Sequence, residues 1–192
     1  MKSTVAALVL ALVAPLAAVA DTYTVDSKHT FANFTWLHFG YAHHRGKFTD
    51  TRGTVTLDPV KKAGSADITI QLASIDTGVP KLDEHLKSGE FFDAAKYPTI
   101  AFKADKFSFE GDRLTAVAGD LTVHGVTKPV TLKVTDFVCK EHPFMKVPAC
   151  GADAVATIKR SDFGMGAYVP MVSDEIDLTI EIEAQVKAAP GK

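Results

Sequence analysis

The sequence predicts an all-β protein: an antiparallel up-and-down β-barrel of about eight strands with one short helical segment. Three observations predict it. Long stretches alternate strictly between apolar and polar residues. The phase of that alternation shifts in several strands, twice beside a glycine, as a sheet curling toward closure requires. One block between two prolines has helical character. The 192 residues contain no internal repeat at a fixed period and no low-complexity linker, so a single folded domain is expected.

In chain order, the N-terminus reads as a removable leader. Lys2 gives a positive start, residues 5–18 form an apolar run, and Ala18-Val19-Ala20 is a small-residue cleavage site. The run is too short to span a bilayer. Cleavage is expected after Ala20, giving a signal peptide at 1–20, a domain at 21–192 and export from the cytoplasm. No cysteine follows the site to carry a lipid anchor. Losing Lys2 reduces 21 basic residues to 20 against 23 acidic ones, a net charge of −3. No basic excess is present to attract nucleic acid.

The alternation is clearest in "EIDLTIEIEAQV" (175–186). Ile176, Leu178, Ile180, Ile182 and Ala184 share one face there, and acids and threonine take the other. Strands are read at roughly 22–26, 31–40, 46–58, 66–75, 99–110, 113–124, 129–138 and 152–160, with a ninth at 174–187. Phase shifts are read across Gly53, between Phe102 and Phe107, and across Gly119. Hairpin turns are placed at Gly111-Asp112 and around Gly125. The helical block, 78–98, has Pro80 at a first helical position and Leu82 and Leu86 four apart on one face. Gly89 interrupts it, which favours two short helices over one long one.

Two cysteines, Cys139 and Cys150, fall in the exported part and bracket a segment with two prolines that reads as a loop. A disulfide is the favoured reading over a metal or redox pair. No nucleophile elbow, catalytic cysteine pair or phosphate-cradling loop is present, so no enzyme is read. The DFG triplet at 162–164 stands without any other kinase motif.

At this level of detail the chain resembles the YceI-like family, exported bacterial lipocalin-like proteins, over essentially the whole mature sequence. The matching pieces occur in order: "YTVDSKHTFANFTWLHFGYAHHRGKF", "ASIDTG" with "DEHLKSGEFFDAAKYPTIAF", "GDLTVHGVTKPVTL", and "IKRSDFGMGAYVP" with "VSDEIDLTIEIEA". The resemblance implies an extended lipocalin-like barrel whose apolar interior, in some members, holds a polyisoprenoid or fatty-acid derivative. It implies no catalytic residues. The partner it suggests is a hydrophobic or amphiphilic small molecule, with no cofactor beyond a bound isoprenoid or fatty-acyl lipid. A homodimer is left open.

The candidate ligand-binding residues follow. Phe34, Trp36, Phe48, Phe91, Phe92, Phe102 and Phe163 suit either a packed core or the wall of an apolar cavity. His38, His43 and His44 crowd one stretch, but adjacent residues in an extended strand face opposite ways and share one ion poorly. A metal-binding or redox role for this cluster is therefore the alternative to lipid binding. His38 suits a hydrogen-bonded structural role or contact with a ligand's polar head. His43 and His44 are read as part of a turn at the barrel end. Arg160 is either a structural corner or the partner of a carboxylate or phosphate head. Asp83, Glu84 and His85 are read as a solvated helix face. A filled barrel acting only through its surface is the third reading.

Overall fold

The computed structural model describes residues 20–58 and 60–187. Apart from Ala20, the segment expected to be a leader, 1–20, lies outside the described residues. The elements are β1 (Asp21–Val25), β2 (Phe31–His38), β3 (Ala42–Phe48), β4 (Thr51–Asp58), β5 (Ala63–Gln71), β6 (Ile75–Asp76), α1 (Pro80–Lys87), β7 (Thr99–Glu110), β8 (Arg113–Val123), β9 (Val126–Glu141), β10 (Pro148–Lys159) and β11 (Glu175–Val186). One-turn 3-10 helices occupy Leu72–Ser74 and Arg160–Phe163.

All strand pairings are antiparallel, and they close into a barrel of eight staves. Five staves, β7 to β11, are unbroken. The other three each consist of two strands placed end to end. Along one edge, β11 pairs first with β2 and then with β1. Beside them β3 pairs with β2 and β4 with β1, and beyond these β6 pairs with β3 and β5 with β4. The segment read as one strand at 46–58 is therefore two strands that change partner at Thr49 and Asp50. The segment read at 66–75 is likewise interrupted by the turn at Leu72–Ser74.

Breaking three staves at one level would orphan backbone groups, and side-chain hydroxyls fill the gaps. Thr30, only 1% exposed, accepts from the Glu183 N–H (3.1 Å) and donates to the Glu183 carbonyl (3.2 Å). Ser74 accepts from the N–H groups of Thr49 (3.1 Å) and Asp50 (3.0 Å) and donates to the Gln71 carbonyl (2.7 Å). Replacing Thr30 with valine keeps the shape but leaves the Glu183 N–H without its partner. The expected loss is about 1–3 kcal/mol, measured by urea unfolding, whereas Thr30→Ser should retain most of the stability.

The phase shifts also have physical causes. The Phe102/Phe107 shift is a bulge at Asp105. The shift read across Gly119 lies instead at Thr115, and a further bulge sits at Thr135. In both of these the extra threonine donates to the opposite carbonyl, Ser108 or Asp153. Gly53 is not a phase switch, because Phe48 and Val55 belong to different strands. It is needed for a different reason: its φ is +151°, and a Cβ there would strike the Asp67 carbonyl.

Both hairpins stand as read, with positive φ at Gly111 and at His124-Gly125. Within 78–98 only one helix forms, α1. After Ser88 the chain runs in turns, so the second short helix is a correction. Cys139 and Cys150 form a disulfide. They face each other within the β9–β10 ladder, which continues to Glu141 and Pro148, so the loop read between them narrows to residues 142–147.

Candidate functional site

The inward faces of the staves enclose a cavity of about 450 Å³, within the range of small-molecule sites. Its length follows from β11, where Ile176, Leu178, Ile180, Ile182 and Ala184 all line it. At about 3.4 Å per residue and a tilt near 40°, that span covers roughly 20 Å of barrel axis. The site is an apolar tunnel along the barrel rather than a surface cleft.

An aromatic shelf forms the wall on the β2–β3 side. Phe34 stacks on Trp36 at 5.7 Å and lies 5.4 Å from Phe48, which meets Phe92 edge-on at 5.9 Å. Gly46 faces Phe34 across the ladder, and a Cβ there would overlap the Phe34 ring. This accounts for the glycine two residues before Phe48. Phe102, opposite both Ile68 and Leu121, lines the facing wall.

The mouth is covered by two segments. Helix α1 presents Leu82 and Leu86 to the cavity, as their spacing predicts. The Asp83 carboxylate anchors the helix by accepting from the Thr77 N–H (2.8 Å) and hydroxyl (2.6 Å). His85 meets Phe91 edge-on at 5.0 Å, and Phe91 stacks on Tyr168 at 6.1 Å. His85 thus lines the mouth while remaining exposed, in keeping with its reading as a solvated helix position. The 164–174 segment is tied to the β2–β3 turn by the Phe39 N–H donating to the Met171 carbonyl (2.8 Å).

Arg160 holds that segment in place. It is 5% exposed and donates to the carbonyls of Ser173 (2.9 Å), Met165 (2.5 Å) and Val172 (2.9 Å). Burial pushes its guanidinium below the ordinary value, opposed by the Asp174 charge. Burial also disfavours ionisation of Asp174. Its two bonds from Ser161 and the nearby Arg160 charge nevertheless bring the carboxyl below its ordinary value. Arg160 lines the cavity, with three of its donors already committed to the backbone.

Phe34, Trp36, His38 and Phe48 all line the cavity, as do Phe91, Phe92, Phe102 and Arg160. Phe163 does not. Its ring is 1% exposed and packed in the core from the 3-10 turn. His38 packs against the rings of Phe39 (4.1 Å) and His44 (5.2 Å). His43 and His44 lie in β3, opposite Leu37 and Trp36, rather than in a turn; the turn comes earlier, at 39–41. The cluster was misplaced because polar residues at a sheet edge carry no alternation signal. Among the described residues, no three His, Cys, Asp or Glu side chains are arranged to hold a metal ion. Tyr168 and Val172 went unread because their segment has no periodicity.

Comparison with known proteins gives a consistent picture. Residues 23–184 match the family model for the YceI-like domain. The chain is 38% identical to Protein YceI of Escherichia coli O157:H7 over 169 residues, covering 86% of this chain and 87% of that one. The crystal structure of Burkholderia cenocepacia BcnA superposes with a TM-score of 0.71 at 27% identity, covering 83% of this chain and 98% of BcnA. A polyisoprenoid binding domain from Saccharophagus degradans, implicated in plant cell wall breakdown, shares the fold with a TM-score of 0.67. It is 17% identical, with 86% of this chain and 98% of that domain covered.

Proposed function

Because the chain belongs to the YceI-like family, we propose that it is an exported periplasmic binding protein that sequesters or carries a long-chain amphiphile in its barrel. The polyisoprenoid, quinone-like and fatty-acyl classes all suit the tunnel. The observation that carries this reading is the apolar cavity running the length of the barrel from the aromatic mouth. The polyisoprenoid binding domain of the same fold supports it. The tail lies against Phe34, Trp36, Phe91, Phe92 and Phe102. The head stays near His38, His85 and Tyr168.

The energetics set a length requirement. At ~0.8 kcal/mol per buried methylene, sixteen carbons gain about 13 kcal/mol. Micromolar binding needs about 8 kcal/mol net, which leaves about 5 for the lost freedom, near the lower end of association costs. Long chains therefore bind and short ones do not.

Trp36 is the only tryptophan and lines the cavity, so its emission reports on occupancy. Titrating delipidated protein with fatty-acyl or prenyl alcohols of increasing length should give a saturable shift, with affinity rising with length. A Trp36 signal that does not respond to any chain length would overturn the reading.

A further inference from the structure

The tunnel wall contains few polar side chains, and most are already engaged. The Thr30 hydroxyl is bonded to Glu183. The Asn33 amide donates to the Thr179 carbonyl (3.0 Å). Arg160, whose guanidinium is the only fixed charge among the described lining residues, donates to three carbonyls.

Thr51 carries the one fully buried side-chain oxygen or nitrogen among the described residues that has no partner. It opens β4 just past the level where the staves break, on the same inward parity as Val55 and Leu57. It lines the cavity, is 3% exposed, and its hydroxyl has no hydrogen-bond partner among the described residues. Its neighbours across the ladder, Ile70 and then Ile100, are apolar. A lone trapped water would need two to four polar partners, which this stretch of wall does not supply. The oxygen itself is covered in this structure, and a rotation about χ1 is what turns it to the otherwise apolar lumen, a move that gains when an occupant brings it an acceptor or donor.

We infer that Thr51 is a polar subsite inside the tunnel, and that the barrel's ligand carries an uncharged oxygen function, a hydroxyl or ketone part-way along its chain, set against the waist. The inference rests on the amphiphile-binding reading and narrows its ligand class. A carboxylate or phosphate at this depth would have no free cation beside it, so the group is neutral.

The test uses the delipidated mature protein and methyl esters of stearic acid. Methyl stearate is compared with a series of methyl oxostearates in which the ketone is moved along the chain, with Trp36 emission as the readout. One window of ketone positions should bind about tenfold tighter than methyl stearate, the worth of one good hydrogen bond. Thr51→Val should abolish that preference while binding methyl stearate at least as well and melting no lower than wild type. Thr51→Ser should keep the preference. Equal affinity at every ketone position, or a preference that survives Thr51→Val, overturns the subsite while leaving amphiphile binding intact. Failure of the wild type to bind methyl stearate itself overturns both.

Discussion

Replacing Ala154 with phenylalanine is expected to weaken acyl or prenyl binding by about 100-fold while leaving the melting temperature unchanged or higher. Ala154 is 5% exposed and pairs with Val134 on one side and Ile180 on the other, all three lining the cavity. A phenyl ring there projects into empty space. Displacing the contacts of about four methylenes costs the ligand ~3 kcal/mol, which is roughly 100-fold in affinity. The same ring fills a void, and cavity filling commonly stabilises by about 0.5–2 kcal/mol. Opposite signs in binding and stability identify the lumen as the site. Parallel losses of both, measured by titration and thermal melts, would show that the ring had disrupted packing. Phe102→Glu should also abolish binding, but a charge in that wall endangers the fold, so the alanine substitution is the cleaner variant.

Phe48→Ala is expected to cost about 3–5 kcal/mol, while the His43→Ala/His44→Ala double variant costs about 1 kcal/mol or less. Phe48 is 4% exposed and joins the Phe34 ring on β2 to the Phe92 ring of the mouth segment. Its removal therefore loosens both the wall and the cover. For a domain of this size, 1 kcal/mol moves the melting temperature by roughly 2–4 °C, so the Phe48 variant should melt roughly 6–20 °C below wild type. His43 and His44 are exposed on β3, and the main contact at risk is the stack of His44 on Trp36 at 5.6 Å. Equal melting temperatures for the two variants would contradict the placement of Phe48 at the centre of the aromatic shelf.

What could be read from the sequence divides along a physical line. The unbroken staves were legible because each presents one dry face. Ile176 to Ala184 and Ile100-Phe102 declare it by alternation alone. The pairing of Cys139 with Cys150 was legible from their number and from the export that the N-terminal sequence leads one to expect. The broken staves were not, because alternation runs through 46–58 without recording that the chain changes partner at Asp50. That change is stabilised by Thr30 and Ser74, distant in sequence from the groups they satisfy. In the site, the aromatics announced themselves by type. Thr51 did not, since a threonine in a strand is ordinary and only closure of the barrel buries its hydroxyl without a partner beside the lumen. Arg160 could be read as a corner or as a head-group partner. Which of its donors are committed depends on a 13-residue excursion that brings Ser173 back to it.

The most direct test of the central claim is native mass spectrometry of the protein expressed from the whole 192-residue sequence and purified without detergent, paired with an organic extract of the same sample. Amphiphile binding requires a fraction of the protein to carry one additional neutral or weakly polar mass. That mass should be lost on extraction, recovered in the organic phase, and restored to the delipidated protein with a saturable Trp36 response. Bare polypeptide mass throughout, an empty extract and a silent Trp36 would contradict it and leave the barrel without the cargo its cavity is proposed to hold.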